Sequence, residues 1–225
     1  MPKLTDVMKQ FPNNAIGIDV SSYQGKLASI SWDKYQASGG TFAFLKASEG
    51  MTIQDSAFRD NYEALLSTGI RRGSYHFFRG GHSGAEQAEN FLRQIEDLFS
   101  SEDLPPVIDV EAVYDKIPVD VQIDYILEWC TTVEAKLNVH PMIYTSLHVV
   151  RDLFKNTTRF GDLPLWVVDY RSGITTPRLP TGFTEWKIWQ WGDKADVAGF
   201  RGPCDYDIFN GSIEDLDQFI TDSHF

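Results

Sequence analysis

Asp109 and Glu111 stand two apart in an apolar run, PPVIDVEAVYD (105–115), and no other part of the chain is as well suited to acid/base chemistry. In a strand, side chains i and i+2 share a face, roughly 6.5–7 Å apart along the chain. Val107, Ile108 and Val110 give the pair the β-branched surroundings of a covered strand. Burying unpaired charges is costly, so the two carboxyls should face a solvated cavity, as an acid/base site requires. The spacing alone means little: with 32 acidic residues in 225, about 4–5 such pairs arise by chance. Asp215 and Asp217 form one in a polar, helix-like stretch that needs only a solvated face. Taken by itself, the stretch is open to two readings, a catalytic pair or a structural ion-pair site.

The other reactive groups show no pattern. Cys130 and Cys204 form neither CxxC nor a zinc motif, and the five histidines lack HxxxH or HExxH spacing. No metal site and no cofactor are expected. Cys130 falls on the stripe Val119, Ile123, Ile126, Cys130, Val133, Leu137 of a helix and reads as core; a disulfide to Cys204 is left open. The net charge of −12 argues against nucleic acid, whose phosphates would be repelled, and against an anionic membrane surface. No apolar run reaches the length of a membrane span. The start, MPKLTDVMKQFPNN, lacks the apolar core of a signal peptide. It reads as a leader segment, residues 1–14, ahead of one domain over 15–225.

Elements that would position the acids recur along the chain. Strand signals fall at AIGIDV (15–20), TFAFLKA (41–47), GSYHFF (73–78), PVIDVEA (106–112), PMIYT (141–145), LWVVDY (165–170), WKIWQW (186–191) and DYDIF (205–209). Phe58, Tyr62, Leu65 and Leu66 mark one helical face; Ala88, Phe91, Leu92, Ile95 and Leu98 mark another. Alternation of strand and helix implies a parallel sheet, and eight strands suggest a closed α/β barrel. The connections 171–185 and 192–204 are loop-like. Such a barrel carries its site at the C-terminal strand ends. Asp19, Glu49, Asp109, Glu111 and Asp205 could then converge on one mouth.

With these motifs in place, the chain resembles glycoside hydrolase family 25, the Chalaropsis-type lysozymes or muramidases common among phage endolysins. The resemblance rests on GIDVSSYQG (17–25), SWDKYQASGGTFAFLKASEG (31–50), GIRRGSYHFF (69–78), PPVIDVE (105–111), PMIYTS (141–146), LWVVDY (165–170), IWQW (188–191) and CDYDIFNGS (204–212). It implies a single irregular (β/α) barrel with eight strands and fewer helices. It also implies cleavage of the β-1,4 bond from N-acetylmuramic acid to N-acetylglucosamine. Glu111 would be the general acid. Asp109 would stabilise the oxocarbenium-like transition state, directly or by orienting the substrate's 2-acetamido group, with Asp19 and Asp205 holding the geometry. Asp207 stands where the family pattern has Asn, which leaves open whether Asp205 or Asp207 faces the cleft. The family's cleft aromatics fall on Tyr75, Tyr144 and Tyr170, and more loosely on Trp189 and Trp191. The implied partner is the peptidoglycan glycan strand, met by a monomer acting on the bacterial wall after secretion or phage release.

Two rivals are weaker. A family 18 chitinase-like hydrolase would want a further Asp where Val107 stands. A non-catalytic sugar-binding barrel would need mainly the aromatics and not all four acids.

Overall fold

In the computed structural model, which describes residues 3–25 and 30–225, the apolar runs form β1 (Ile16–Val20), β2 (Phe42–Glu49), β3 (Ile53–Gln54), β4 (Arg71–Phe77) and β5 (Val107–Asp109). They continue as β6 (Met142–Ser146), β7 (Leu165–Val168), β8 (Ile188–Asp196) and β9 (Pro203–Phe209). The order β1-β9-β8-β7-β6-β5-β4-β2, closed by β1–β2 pairing, makes an eight-stranded barrel. β3 lies outside it as a short antiparallel extension of β2.

Strand alternation sorts the side chains into two layers. Phe42, Phe44, Val107, Met142, Tyr144, Trp166, Ile188 and Phe209 fill the interior. Ile18, Ala43, Leu45, Ile108, Ile143, Val167 and Ile208 face outward under the helices. Two glycines make the interior possible. A Cβ on Gly17 would stand 2.2 Å from the Phe42 ring, and one on Gly73 would stand 2.3 Å from the Phe44 ring.

The helices are α1 (Leu4–Gln10), α2 (Trp32–Ala37), α3 (Phe58–Leu65), α4 (Gly84–Ile95), α5 (Val119–Leu137) and α6 (Ile213–Ser223). α5 follows the stripe read from the sequence and ends on Asn138 in the left-handed conformation, φ 56°. Ser83 caps α4, its hydroxyl accepting from the Glu86 amide. α6 begins with a capping box between Ser212 and Asp215 and closes the barrel bottom with Leu216 and Ile220. Between β6 and β7 the backbone makes only a short π-helical turn, Val149–Leu153, so the outer layer is incomplete on that side.

One expectation changes. The sheet is not wholly parallel: β9 runs antiparallel to both β8 and β1. Only residues 197–202 join β8 to β9, and a parallel crossover needs a dozen residues or more. The expected leader 1–14 has its first two residues outside the described range. Its remainder packs on the barrel, with Leu4, Val7 and Phe11 buried in the same core as the strands. Cys130 and Cys204 are both buried, free thiols.

Candidate active site

The mouth of the barrel is a cleft of about 250 Å³ lined by Asp19, Asp109, Glu111, Tyr75, Tyr144 and Tyr170, together with Asp205, Lys46, Trp166 and Gln190. Larger surface hollows exist, such as the roughly 460 Å³ groove between the C-terminal ends of α3 and α6. Two of its acids, however, are tied up: Arg71 pairs with Asp217 and Arg72 with Asp103, each at 2.6 Å. Chemistry, not size, selects the mouth.

Each carboxyl arrives there by strand geometry. Val107 and Asp109 point inward from β5, and Glu111 continues that face just past its end. Asp19 sits near the C-terminal end of β1. Asp205 reaches the mouth because β9 is reversed, which brings its N-terminal half upward and pairs Asp205 with Asp19 in register. Asp207, two residues deeper on the same face, is fully buried and accepts from Trp166 Nε1 at 3.0 Å. Asp205 therefore faces the cleft, and Asp207 lies beneath it.

Burial raises all of these acids. Asp109, 6% exposed, is held well above the ordinary carboxylate range by burial and then by the Glu111 charge. Its Oδ1 has no hydrogen-bond partner. Glu111 is exposed at the rim on one side and walled on the other. Partial loss of solvent raises it, while the Tyr144 hydroxyl and the Lys46 and Arg79 cations pull the other way. Asp205 is pushed up to about 6 by burial and by Asp193. Asp19 is raised well above its usual range by burial and then by Asp205 and Asp207. Such a set of raised carboxyls in one cleft makes the mouth the candidate active site.

Polar side chains lock the remaining surface. Gln190 donates from Nε2 to Asp19 Oδ2 at 2.6 Å, and its Oε1 accepts from Tyr144 at 2.8 Å and from Tyr170. Lys46 and Arg79 both bind Glu49, at 2.6 and 2.5 Å. Burial lifts the Glu49 carboxyl, but these hydrogen bonds outweigh it and hold the group below its ordinary value. Glu49 thus joins two cations beside the cleft instead of standing in it.

Of the aromatics expected in the cleft, Tyr75, Tyr144 and Tyr170 line it; Trp189 and Trp191 do not. Trp189 is fully buried on the outer face of β8, its Nε1 donating to Asp169 O at 2.9 Å. Trp191 shares that outer face and packs edge-on against Phe11 and Tyr206, at 5.7 and 5.4 Å. The residues that alternate with them, Ile188 and Gln190, point inward. Period-two alternation in IWQW held that signal, as did the inward spacing Phe42, Phe44, Lys46 for the cleft lysine. Arg79 and Trp166 gave no comparable sign.

A profile of the glycosyl hydrolases family 25 matches residues 18–200. The chain belongs to this family. YegX of Escherichia coli (strain K12) is 32% identical over 209 residues, 91% of this chain and 72% of its own length. Lysozyme M1 of Streptomyces globisporus is 31% identical over 208 residues, 89% of this chain and 69% of its own. Among solved structures, the bacterial lysozyme of Streptomyces coelicolor superposes with a TM-score of 0.84 at 29% identity, covering 93% of this chain and 98% of that one. The family 25 match runs from the middle of β1 to just short of β9, so it includes Asp19, Asp109 and Glu111. Asp205 and Asp207 lie beyond it. The protein is a glycoside hydrolase, and its barrel is that of its structural neighbours.

Proposed function

We propose that the protein is a peptidoglycan muramidase whose working pair is Asp109 and Glu111. The observation that carries this reading is the pairing of two raised carboxyls, one buried and one at the rim, in the mouth of a family 25 barrel. Glycoside hydrolysis runs on two such groups.

In the free cleft Asp109 is more reluctant to ionise than Glu111, and the proton they compete for belongs to the pair. Bound substrate changes the balance in two ways. A glycan lying over the rim strips solvent from Glu111 and raises it further. The N–H of a 2-acetamido group gives Asp109 Oδ1 the donor it lacks in the free protein, which stabilises Asp109 as carboxylate. Both effects move the proton to Glu111, the position from which it protonates the leaving glycosidic oxygen. Asp109 then faces the developing positive charge at the sugar ring, directly or by orienting the acetamido oxygen. Tyr75, Tyr144 and Tyr170 supply flat or hydroxylated walls for the sugar. The substrate class accords with what relatives are called: lysozyme in Streptomyces globisporus and N,O-diacetylmuramidase in Arthroderma benhamiae.

Digestion of purified peptidoglycan and analysis of the new ends tests this. N-acetylmuramic acid at the new reducing ends is expected, with chitin oligomers poor substrates. N-acetylglucosamine at those ends would make the enzyme a glucosaminidase, and no new reducing ends would reject hydrolysis of this substrate.

A further inference from the structure

Two glutamines outside the cleft repeat one pattern of hydrogen bonds on neighbouring loops. Gln122, fully buried in the first turn of α5, accepts the Tyr114 N–H on Oε1 at 2.8 Å. Its Nε2 donates to Tyr114 O at 3.0 Å and to Ile117 O at 2.7 Å. Gln87, equally buried in the first turn of α4, accepts the Arg79 N–H at 2.9 Å. Its Nε2 donates to Arg79 O at 2.9 Å and to His82 O at 3.0 Å. Each amide thus holds both backbone groups of the residue 8 places back and the carbonyl 5 places back. Backbone partners fix the orientation of both amides, because an N–H can only donate and a C=O can only accept.

The two loops also brace each other. A Cβ on Gly80 would stand 1.9 Å from Gln122 Oε1, and one on Gly81 would stand 3.5 Å from the Tyr114 ring. Beneath them α4 and α5 touch backbone to backbone: a Cβ on Gly84 would stand 1.9 Å from the Tyr125 carbonyl oxygen. The loop held by Gln87 carries Arg79, which pairs with Glu49. The loop held by Gln122 carries an acid of the working pair. β5 ends at Asp109, so Glu111 has left the sheet. On one side of it the Val110 N–H donates to Tyr144 O at 2.9 Å; on the other, Tyr114 is gripped by Gln122.

We propose that Gln122 is a positioning residue that holds Glu111 at its working distance by pinning the far end of its loop; the inference rests on the reading of Glu111 as proton donor. Glu111 stands at the exposed rim, so the backbone that carries it must supply the fixed geometry that proton transfer needs. Gln122 supplies it where the sheet no longer reaches. Only an amide can serve, since one group must accept an N–H and donate to two carbonyls.

Gln122→Met keeps the length of the side chain and removes all three bonds. Gly80→Ala presses on the same amide from the facing loop with the glutamine intact, and it reads the same quantities should Gln122→Met not fold. Gln87→Met makes the same change in the loop without the acid. Exchange of the Tyr114 N–H should quicken about tenfold or more in Gln122→Met, with amides in the middle of α5 unchanged. A misplacement of about 1 Å costs about 10²-fold, so kcat for wall lysis should fall roughly 10- to 100-fold in Gln122→Met and Gly80→Ala, with KM little moved. On an activated aryl glycoside, whose leaving group needs no proton, the same two variants should stay within about threefold of the natural protein. Gln87→Met should lower both rates by one factor, as a loss of folded protein does. Equal losses on the two substrates in Gln122→Met or Gly80→Ala overturn the proposal. So does a Gln87→Met variant that loses wall lysis alone, or unchanged exchange at Tyr114. If the natural protein releases no reducing ends from the wall, the muramidase reading fails instead, and the exchange arm still decides whether Gln122 holds the loop.

Discussion

Asp109 and Glu111 differ in burial, and that difference makes their roles separable. Glu111→Gln keeps the shape of the rim and removes the transferable proton, so kcat should fall on the order of 10²–10⁴-fold. Asp109→Asn should be as severely impaired for another reason, since the negative charge opposite the developing cation is gone. An activated aryl glycoside, whose leaving group needs no protonation, tells the two apart. On it Glu111→Gln should regain much of its rate and Asp109→Asn should stay slow; the opposite outcome would mean the roles are reversed. The pH profile follows from the same pair. Activity needs one proton and one charge, so it should be bell-shaped, falling below the range where the pair loses its charge and above the range where it loses its proton. Because both groups are raised, both limbs should lie above those of ordinary carboxylates. A profile flat from pH 4 to 8 would count against acid catalysis by this pair.

At the level of elements, the N-terminal segment covers the two tryptophans that strand alternation turns away from the cleft. Phe11, just past α1, is 9% exposed and sits edge-on to Trp189 and Trp191, at 5.9 and 5.7 Å. Phe11→Ala should cost about 3–5 kcal/mol as a buried aromatic truncation. At about 2–4 °C per kcal/mol for a chain of this size, the melting temperature should drop by roughly 6–20 °C, with a red shift in tryptophan emission. An unchanged melting point would mean that residues 3–14 are an appendage after all. Strand positions and the Asp109/Glu111 pair were legible because a buried strand writes its period into the sequence. α5 was legible for the same reason, through its apolar stripe. The direction of β9 was not, since DYDIF reads alike either way and only the short 197–202 link constrains it. Nor were the partners of Glu49: an ion pair with Arg79, thirty residues away in the chain, leaves no local pattern. The docking of residues 3–14 on the barrel was not legible either, because seven residues of helix carry too few apolar positions to announce it.

The charge of the whole molecule sets how it meets a polymer. With a net charge of −12 and a pI near 4.7, the protein is repelled by an anionic wall, while the cations beside the cleft, Lys46 and Arg79, are already shared with Glu49. Global repulsion should therefore outweigh local attraction at low ionic strength, where the screening length is about 30 Å at 0.01 M and spans the molecule. At 0.1 M it shrinks to about 10 Å, and the charges far from the contact cease to matter. Lytic activity should accordingly rise between these two salt concentrations. The gain should appear in KM, because screening eases approach without touching the bonds made in the cleft. On a short neutral glycoside the same salt change should do almost nothing. A steady fall in wall lysis from the lowest salt upward would show instead that the protein is drawn to the wall by its local cations, and that the Lys46–Glu49–Arg79 group binds substrate charge directly.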